Sequence, residues 1–243
     1  MSAPLEPVYL DPYQPECHFP DVSLALEEPD GLLAVGGNLS TATLFNAYRD
    51  GIFPWYSDGQ PILWWSPNPR AVIFPEQLRI SRSLKKRLRQ QHFEVTLDHA
   101  FNEVIRACAT ARNDGPGTWI TTEIQNAYIE MHHLGHAHSV EAWRDGNLVG
   151  GLYGIAIGQV FFGESMFSRE SDASKVAFAH LVAQLKKWQF SLIDCQVGSN
   201  HMTSLGAKGI SRTDFISHLN QACHHSNLAP AQWKKRLSSL DAD

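Results

Sequence analysis

The sequence predicts a mixed α+β fold. From residue 93 onward, hydrophobic periodicity predicts a strand, two helices, three strands, a helix, a strand and a last helix. Turn residues at Asp145-Gly146 and at Gly158 separate the three central strands by short connections, which favours an antiparallel meander. A meander followed by a strand–helix–strand segment is typical of a mixed sheet covered by helices.

Composition limits the class of protein. The chain has 243 residues, is 43% hydrophobic and 19% charged, and carries a formal net charge of −5. Such a chain can bury a large core, and any nucleic-acid contact must come from a local basic patch. The first residues lack the regions of a signal peptide, the uncharged stretch 148–163 is too short to span a membrane, and the four cysteines have no CxxC spacing. We therefore expect a cytoplasmic protein without membrane association.

The N-terminal third contains one predicted helix and one unusual segment. Residues 1–30 are expected to be irregular, and a helix over 42–50 is expected to begin at Ser40 or Thr41 and to end at Gly51. Residues 51–75 hold three Trp, one Tyr and two Phe among five Pro, so these aromatic rings must lie on loops and short strands. They either pack a small N-terminal domain onto its neighbour or form a stacking surface for a base or an aromatic substrate.

Residues 79–89 form the only dense basic segment of the sequence. As a helix, this segment places Leu84 and Leu88 on one face and a cationic stripe on the other; the stripe consists of Arg82, Lys85, Lys86 and Arg89. The stripe is either solvated or bound to a phosphate backbone. Six positive charges without an acidic residue favour phosphate contact.

The remaining elements follow from the same patterns. The predicted strands are 93–97, 138–143, 148–157, 159–168 and 192–197. The predicted helices are 100–110, 118–134, 173–188 and 213–223, with Ser171 or Asp172 capping the third. Residues 198–212 are expected to form a loop, and the C-terminal tail carries no clear pattern.

A polar set within apolar strands indicates the candidate site. Alternation along 192–197 points Asp194 and Gln196 to one face, about 7 Å apart, and Cys195 to the other. A carboxylate in so apolar a strand is costly unless it is paired or used, and Glu164 interrupts strand 159–168 in the same way. Cys195 is expected to pack in the core and not to act as a nucleophile.

The sequence gives little support for a metal site or for a nucleotide-binding motif. The histidines 132, 133, 136 and 138 could suggest a metal site, but no Cys or carboxylate completes a ligand set, and surface histidines are expected instead. The glycines at 150, 151, 154 and 158 match neither a dinucleotide-binding motif nor a P-loop. We therefore predict no metal and no cofactor, and a direct transfer reaction beside a pocket for an apolar side chain.

A series of short motifs resembles one protein family. In chain order they are GLLAVGGNLS, GIFPWY, PILWWSPNPRAV, GTWIT (117–121), HSVEAWR, LVGGLYG, GESMFS, ASK, LIDCQ and SLGA (204–207). Together, over residues 31–215, they resemble the bacterial leucyl/phenylalanyl-tRNA–protein transferases. The resemblance implies a small N-terminal domain (residues 1–75) followed by a domain similar to the GNAT acyltransferases (residues 76–243).

The resemblance also implies an activity. Members of this family transfer Leu or Phe, and Met less well, from aminoacyl-tRNA to the α-amine of proteins with N-terminal Arg or Lys, which marks these proteins for degradation by the N-degron pathway. The expected partners are therefore Leu-tRNA, Phe-tRNA and such an acceptor protein, and the expected state is a monomer.

Residues that match the family's motifs are expected to form its site. Asp194 and Gln196 match the catalytic pair, Glu164 matches an acid near the 3′-terminal adenosine, and Trp55 and Trp119 match two functional tryptophans. The pocket for the transferred side chain corresponds to Leu152, Phe161, Met166, Phe178, Leu181 and Ile193. The basic surface for the tRNA acceptor stem corresponds to Arg82, Lys85, Lys86 and Arg89. In this reading Gln196 orients the attacking amine, while Asp194 fixes the Gln196 amide and could take the proton.

Two rival functions remain at this stage. An acetyl-CoA-dependent N-acetyltransferase would share the order of strands, but residues 168–172 contain no glycine-rich loop for a pyrophosphate. A tRNA-binding module without activity would need only the basic helix.

Overall fold

The computed structural model describes residues 6–110, 118–224, 228, 230–238 and 240; Gly117 of the GTWIT motif lies outside this part of the chain. The described strands are β1 (Val8–Leu10), β2 (Leu32–Gly36), β3 (Phe53–Pro54), β4 (Leu63–Trp65), β5 (Arg70–Ile73), β6 (Glu94–Leu97), β7 (Ala137–Arg144), β8 (Asn147–Ile157), β9 (Val160–Ser168), β10 (Leu192–Asp194), β11 (Lys208–Ile210) and β12 (Lys235–Leu237). The described α-helices are α1 (Thr41–Arg49), α2 (Arg82–Arg89), α3 (Phe101–Thr110), α4 (Thr122–His133), α5 (Ala173–Lys187), α6 (Asn200–Ser204), α7 (Arg212–Ala222) and α8 (Pro230–Trp233).

These strands form two sheets. A four-stranded sheet has the order β1-β2-β4-β3, and an eight-stranded sheet has the order β11-β5-β10-β9-β8-β7-β6-β12. In the large sheet β9 and β10 run parallel, and all other neighbouring strands run antiparallel. The predicted α+β class and the mixed, mostly antiparallel sheet are therefore confirmed. Because β5 belongs to the large sheet, the chain enters it before residue 76; the proposed division at that residue stays a prediction.

The large sheet separates two hydrophobic cores. One core contains Phe161 and Ile193 and lies on the side of α5, and the other contains Phe162 and Leu192 and lies on the side of α3, α4 and the small sheet. Adjacent residues fall into different cores because successive side chains of a strand point to opposite faces.

Local sequence signals place the helix starts. The hydroxyl of Ser40 accepts the Thr43 N–H at 3.3 Å at the start of α1, and the hydroxyl of Ser81 accepts the Leu84 N–H at 3.2 Å at the start of α2. Leu84 and Leu88 are buried, which confirms the amphipathic pattern of α2. None of the described helices has the length and hydropathy that a membrane crossing requires.

The start of α5 differs from the prediction. Asp172 occupies the N-cap position with φ +67°, but its side chain makes no capping hydrogen bond. The Asp172 carboxylate instead accepts from Lys175 Nζ at 2.9 Å, and the hydroxyl of Ser168 accepts the Ser174 N–H at 3.2 Å. Ser168, the last residue of β9, thus caps the start of α5 in place of the predicted Asp172 or Ser171.

Several segments for which no helix or strand was predicted contain short elements. β1 lies within residues 1–30, α6 and β11 lie within the predicted loop 198–212, and α8 and β12 lie in the tail. Their strands pair with β2, β5 and β6. A three-residue strand has too few residues to show a period, so its partner and not its own sequence defines it. The predicted strand 192–197 was also too long, because β10 ends at Asp194.

The expectation that the histidines at 132, 133, 136 and 138 lie on the surface was only partly correct. His133 is exposed, but His138 is buried, pairs with Asp98 Oδ2 at 2.8 Å and stacks on Trp233. The ring of His132 stacks on Phe101. Most of this segment therefore packs against the sheet and its helices instead of lying on the surface.

A candidate active site where two parallel strands separate

The candidate site is a cavity beside the carboxyl end of β10, where this strand separates from β9. The two strands are paired as far as Phe162 and Asp194, after which β10 ends and β9 continues to Ser168. The separation leaves a cavity of about 220 Å³. Its lining residues are Leu152, Tyr153, Phe161, Gly163, Glu164, Ser165, Met166, Phe178, Ile193, Asp194, Cys195, Gln196, Val197, Ser199, His201 and Met202.

The apolar half of the lining agrees with most of the predicted pocket. Five of the six predicted residues line the cavity, namely Leu152, Phe161, Met166, Phe178 and Ile193. The sixth, Leu181, is buried on α5 in the same core but is not part of the lining. The paired positions Phe161 and Ile193 point to the α5 side, so the floor of the cavity continues the core beneath α5.

The carboxylate of Asp194 is held by an arginine that the sequence analysis did not select. Arg70 Nε donates to Asp194 Oδ1 at 2.8 Å and Arg70 Nη2 donates to Oδ2 at 2.7 Å, and both side chains are buried. The guanidinium carbon lies over the rings of Phe53 and Phe215, 4.7 and 4.6 Å from their centroids. The charge of Asp194 is therefore compensated inside the protein.

Gln196 lies beyond the end of the strand. Its backbone has φ +54°, a left-handed conformation that residues with a side chain adopt rarely. Its N–H donates to Asp194 Oδ1 at 3.0 Å, and its carbonyl accepts from Ala71 N at 3.1 Å. The alternation that was to place Asp194 and Gln196 on one strand face therefore does not extend to Gln196, and Asp194 holds the Gln196 backbone instead of its side-chain amide.

The Gln196 side chain belongs to a polar cluster around Glu164. Gln196 Nε2 donates to Glu164 Oε1 at 3.2 Å, Tyr48 Oη donates to Oε1 at 2.7 Å, and Tyr128 Oη donates to Oε2 at 3.2 Å. Burial raises the pKa of Glu164 to about 7, although the hydrogen bonds from the two tyrosines lower it and thus limit the rise. Burial also raises the pKa values of Tyr48 and Tyr128 well above the usual 10, so both phenols remain donors.

Cys195 also lines the cavity, but burial raises the pKa of its thiol far above the ordinary range. It therefore remains protonated and is a poor nucleophile. Among the residues that the structure describes, no group of three or more His, Cys, Asp or Glu side chains could hold a metal ion.

The other predicted site residues do not line this cavity. Trp55 is 48% exposed and its carbonyl accepts the Trp65 indole N–H at 2.7 Å, so the two rings form an aromatic pair on the β3–β4 hairpin. Trp119 is partly buried and packs against the core on the side of α4. On α2, Arg82, Lys86 and Arg89 are exposed and Lys85 is partly buried.

Sequence reasoning missed Arg70, Tyr48 and Tyr128. A signal existed for Arg70, because an arginine before the apolar run Ala71–Ile73 requires a partner as much as Asp194 does. The tyrosines lie on the buried faces of α1 and α4, where they resemble ordinary core residues.

Comparisons with known proteins agree on one family. The family model described as "Leucyl/phenylalanyl-tRNA protein transferase" matches residues 72–220, and the model of that family's N-terminal domain matches residues 37–68. Proteins named leucyl/phenylalanyl-tRNA–protein transferase are similar to the chain in Aromatoleum aromaticum (62% identity, 83% of this chain and 85% of that one) and in Pseudomonas fluorescens (58% identity, 87% and 94%).

Among solved structures, a GCN5-related N-acetyltransferase from Kribbella flavida aligns with a TM-score of 0.38 at 12% identity, over 69% of this chain and 60% of that chain. This likeness says nothing about function. The family models cover more than half of the chain and the relatives are more than 50% identical over most of it. The chain therefore belongs to the leucyl/phenylalanyl-tRNA–protein transferase family.

Proposed function

We propose that this protein transfers Leu or Phe, and Met less well, from aminoacyl-tRNA to the α-amine of proteins that begin with Arg or Lys, and so marks them for degradation by the N-degron pathway. Family membership supports the reaction class. The observation that carries the proposal is the cavity between β9 and β10, which is apolar at its floor and has Glu164 and Gln196 in its lining.

The apolar floor would bind the side chain of the transferred amino acid. Phe161, Phe178 and Ile193 would form rigid apolar walls of the pocket, and the flexible thioether of Met166 can adapt to Leu or Phe. β-Branched side chains are stiff at χ1, and we propose that they are excluded for this reason.

Gln196 would orient the attacking amine, and Glu164 would accept its proton. Because the ester of aminoacyl-tRNA is already activated, the enzyme must mainly orient a neutral amine toward the ester carbonyl. In the proposed step the C–N bond forms, Gln196 positions the amine, and Glu164 takes the amine proton. The ester C–O bond then breaks and the proton passes to the departing ribose oxygen. A base with a pKa of about 7 suits this task at neutral pH.

We assign Asp194 a positioning role, since the buried Arg70 cation compensates its charge and its Oδ1 also accepts the Gln196 N–H. From the sequence alone, Asp194 was a possible proton acceptor. Because the charge of Asp194 is compensated by Arg70, we propose that Glu164, the other carboxylate of the lining, meets the N-terminal Arg or Lys before it accepts the amine proton.

The tRNA would bind outside the cavity. We propose that the cationic stripe of α2 contacts the acceptor stem, and that Trp55 and Trp119 contact the 3′ end near Glu164. Exposed cations suit phosphate contacts, and the half-exposed Trp55 ring offers a surface for stacking. We further propose that the protein acts as a monomer, and use of aminoacyl-tRNA implies the cytoplasm.

The test is a transfer assay with labelled Phe-tRNA. One peptide begins with Arg, a second is the same peptide with its α-amine acetylated, and a third reaction replaces Phe-tRNA by labelled acetyl-CoA. We expect label only on the first peptide. Gln196→Ala is expected to lower the transfer rate without weakening aminoacyl-tRNA binding, whereas Gln221→Ala, which changes an exposed glutamine of α7, serves as the matched control. Transfer from acetyl-CoA, or label on the acetylated peptide, contradicts the proposal.

A further inference from the structure

The buried guanidinium of Arg70 joins three parts of the chain. Its Nη1 donates to the carbonyl of Gly51 at 3.2 Å, which ties it to the segment between α1 and β3. Its Cζ lies over the rings of Phe53 from β3 and Phe215 from α7, 4.7 and 4.6 Å from their centroids. Its remaining donors, Nε and Nη2, form the fork to Asp194. The hydrogen bonds to Asp194 and Gly51, together with the two ring contacts, fix the position and orientation of the guanidinium.

The two parallel hydrogen bonds from Arg70 to Asp194, called the fork here, are connected to Gln196 through the Asp194 Oδ1 atom. Asp194 Oδ1 accepts from Arg70 Nε at 2.8 Å and from the Gln196 N–H at 3.0 Å. The residue after Arg70 adds a second restraint, because Ala71 accepts from Cys195 N at 2.9 Å and donates to the Gln196 carbonyl at 3.1 Å. A left-handed backbone is unfavourable for a glutamine, so the φ of +54° depends on such restraints.

The bidentate geometry also determines where Oδ1 points. A fork fixes the plane of the carboxylate, whereas a single point charge leaves the carboxylate free to rotate. Burial alone does not require this pair, because well-packed apolar side chains often fill such a space with equal or greater stability. The fork therefore provides orientation in addition to stability, and the group that it orients is the backbone of Gln196.

We propose that Arg70 is a positioning residue for aminoacyl transfer: it fixes the Asp194 carboxylate, which holds the Gln196 backbone in the conformation that presents the Gln196 amide to Glu164 and to the attacking amine. The inference rests on the proposed role of Gln196. It assigns to Arg70 a part in the reaction although Arg70 does not line the cavity.

The test begins with Arg70→Lys, which keeps the charge and removes the fork. Because small misplacements of a positioned group are costly, we expect kcat to fall about 100-fold, with KM for Phe-tRNA and for the acceptor peptide changed less than about threefold. Asp98→Asn is the matched control, since it changes another buried carboxylate, which is hydrogen-bonded to His138 and lies outside the contacts described for Gln196. All variants are assayed at a temperature at which near-UV circular dichroism shows them folded.

A double-mutant cycle with Gln196→Ala separates positioning from stability. If Arg70 acts through Gln196, then Arg70→Lys lowers kcat no further in the Gln196→Ala background. Equal losses in both backgrounds, or an equal loss in Asp98→Asn, overturn the inference and leave the role of Gln196 intact. An unchanged kcat in Gln196→Ala alone overturns the role of Gln196, and the inference with it. If Arg70→Lys does not fold, Asp194→Asn takes its place in the same cycle with the same expectations.

Discussion

Replacing Glu164 by Gln tests whether the polar cluster of the cavity contains a partly buried carboxylate with a raised pKa. The variant keeps the size of the side chain and one oxygen that can accept from Tyr48 and Gln196, while its amide N–H₂ can donate to Tyr128 Oη. What it removes is the ability to carry a negative charge. Any difference from the wild type that depends on pH therefore reports the titration of Glu164.

The size of the expected stability difference follows from the shift in the pKa of Glu164. The pKa of Glu164 rises from 4.5 in the unfolded reference to about 7 in the folded protein, which corresponds to about 3 kcal/mol. Between these two pH values the folded protein holds a proton that the unfolded chain has released, so wild-type stability decreases as pH rises through this window. The variant has no such loss. Its free energy of unfolding relative to the wild type is therefore expected to increase by up to about 3 kcal/mol between pH 4.5 and pH 8.

Urea denaturation at pH 4.5, 5.5, 6.5 and 8 measures this difference. Glu103→Gln, an exchange of the same type at an exposed position of α3, serves as the control. In transfer assays Glu164→Gln should be slow, and its rate should rise with pH only as the acceptor amine loses its proton near about 8, whereas the wild-type rate should also rise through about 7. A stability difference that stays constant across this range, or that decreases, refutes the argument that burial raises the pKa of Glu164.

Three further predictions concern the stripe, the cavity and a helix cap. Replacing Lys85, Lys86 and Arg89 by Ala should weaken tRNA binding and reduce its salt dependence, measured by filter binding at several salt concentrations; an unchanged slope means that the stripe is only solvated. Met166→Ala should enlarge the cavity and raise the Phe:Leu ratio of kcat/KM by about tenfold in competition assays; an unchanged ratio contradicts the assigned pocket. Ser40→Ala should cost about 1 kcal/mol in urea denaturation, because the Thr43 N–H loses its cap; no loss contradicts this capping role.

The elements that the sequence predicted correctly are those with a long and regular pattern. The central meander appears as β7, β8 and β9, and the amphipathic helices α1, α2, α3, α5 and α7 lie where their apolar stripes indicated. Helix periodicity and strand alternation are local properties, so residues close in sequence suffice to show them. The proximity of Phe161 and Met166 to Glu164 is a local property as well, since all three residues lie on one strand.

The polar contacts of the site that the sequence did not predict are formed by residues far apart in the chain. Arg70 and Asp194 are 124 positions apart, and Tyr48 and Glu164 are 116 positions apart. No local pattern joins such residues, because their distance depends on which strands become neighbours and on how the helices pack against them. The sequence by itself thus determined the class of fold, the apolar floor of the site and its family. Only the tertiary structure showed that Asp194 is paired with Arg70, since a buried charge must find its partner wherever the fold provides one.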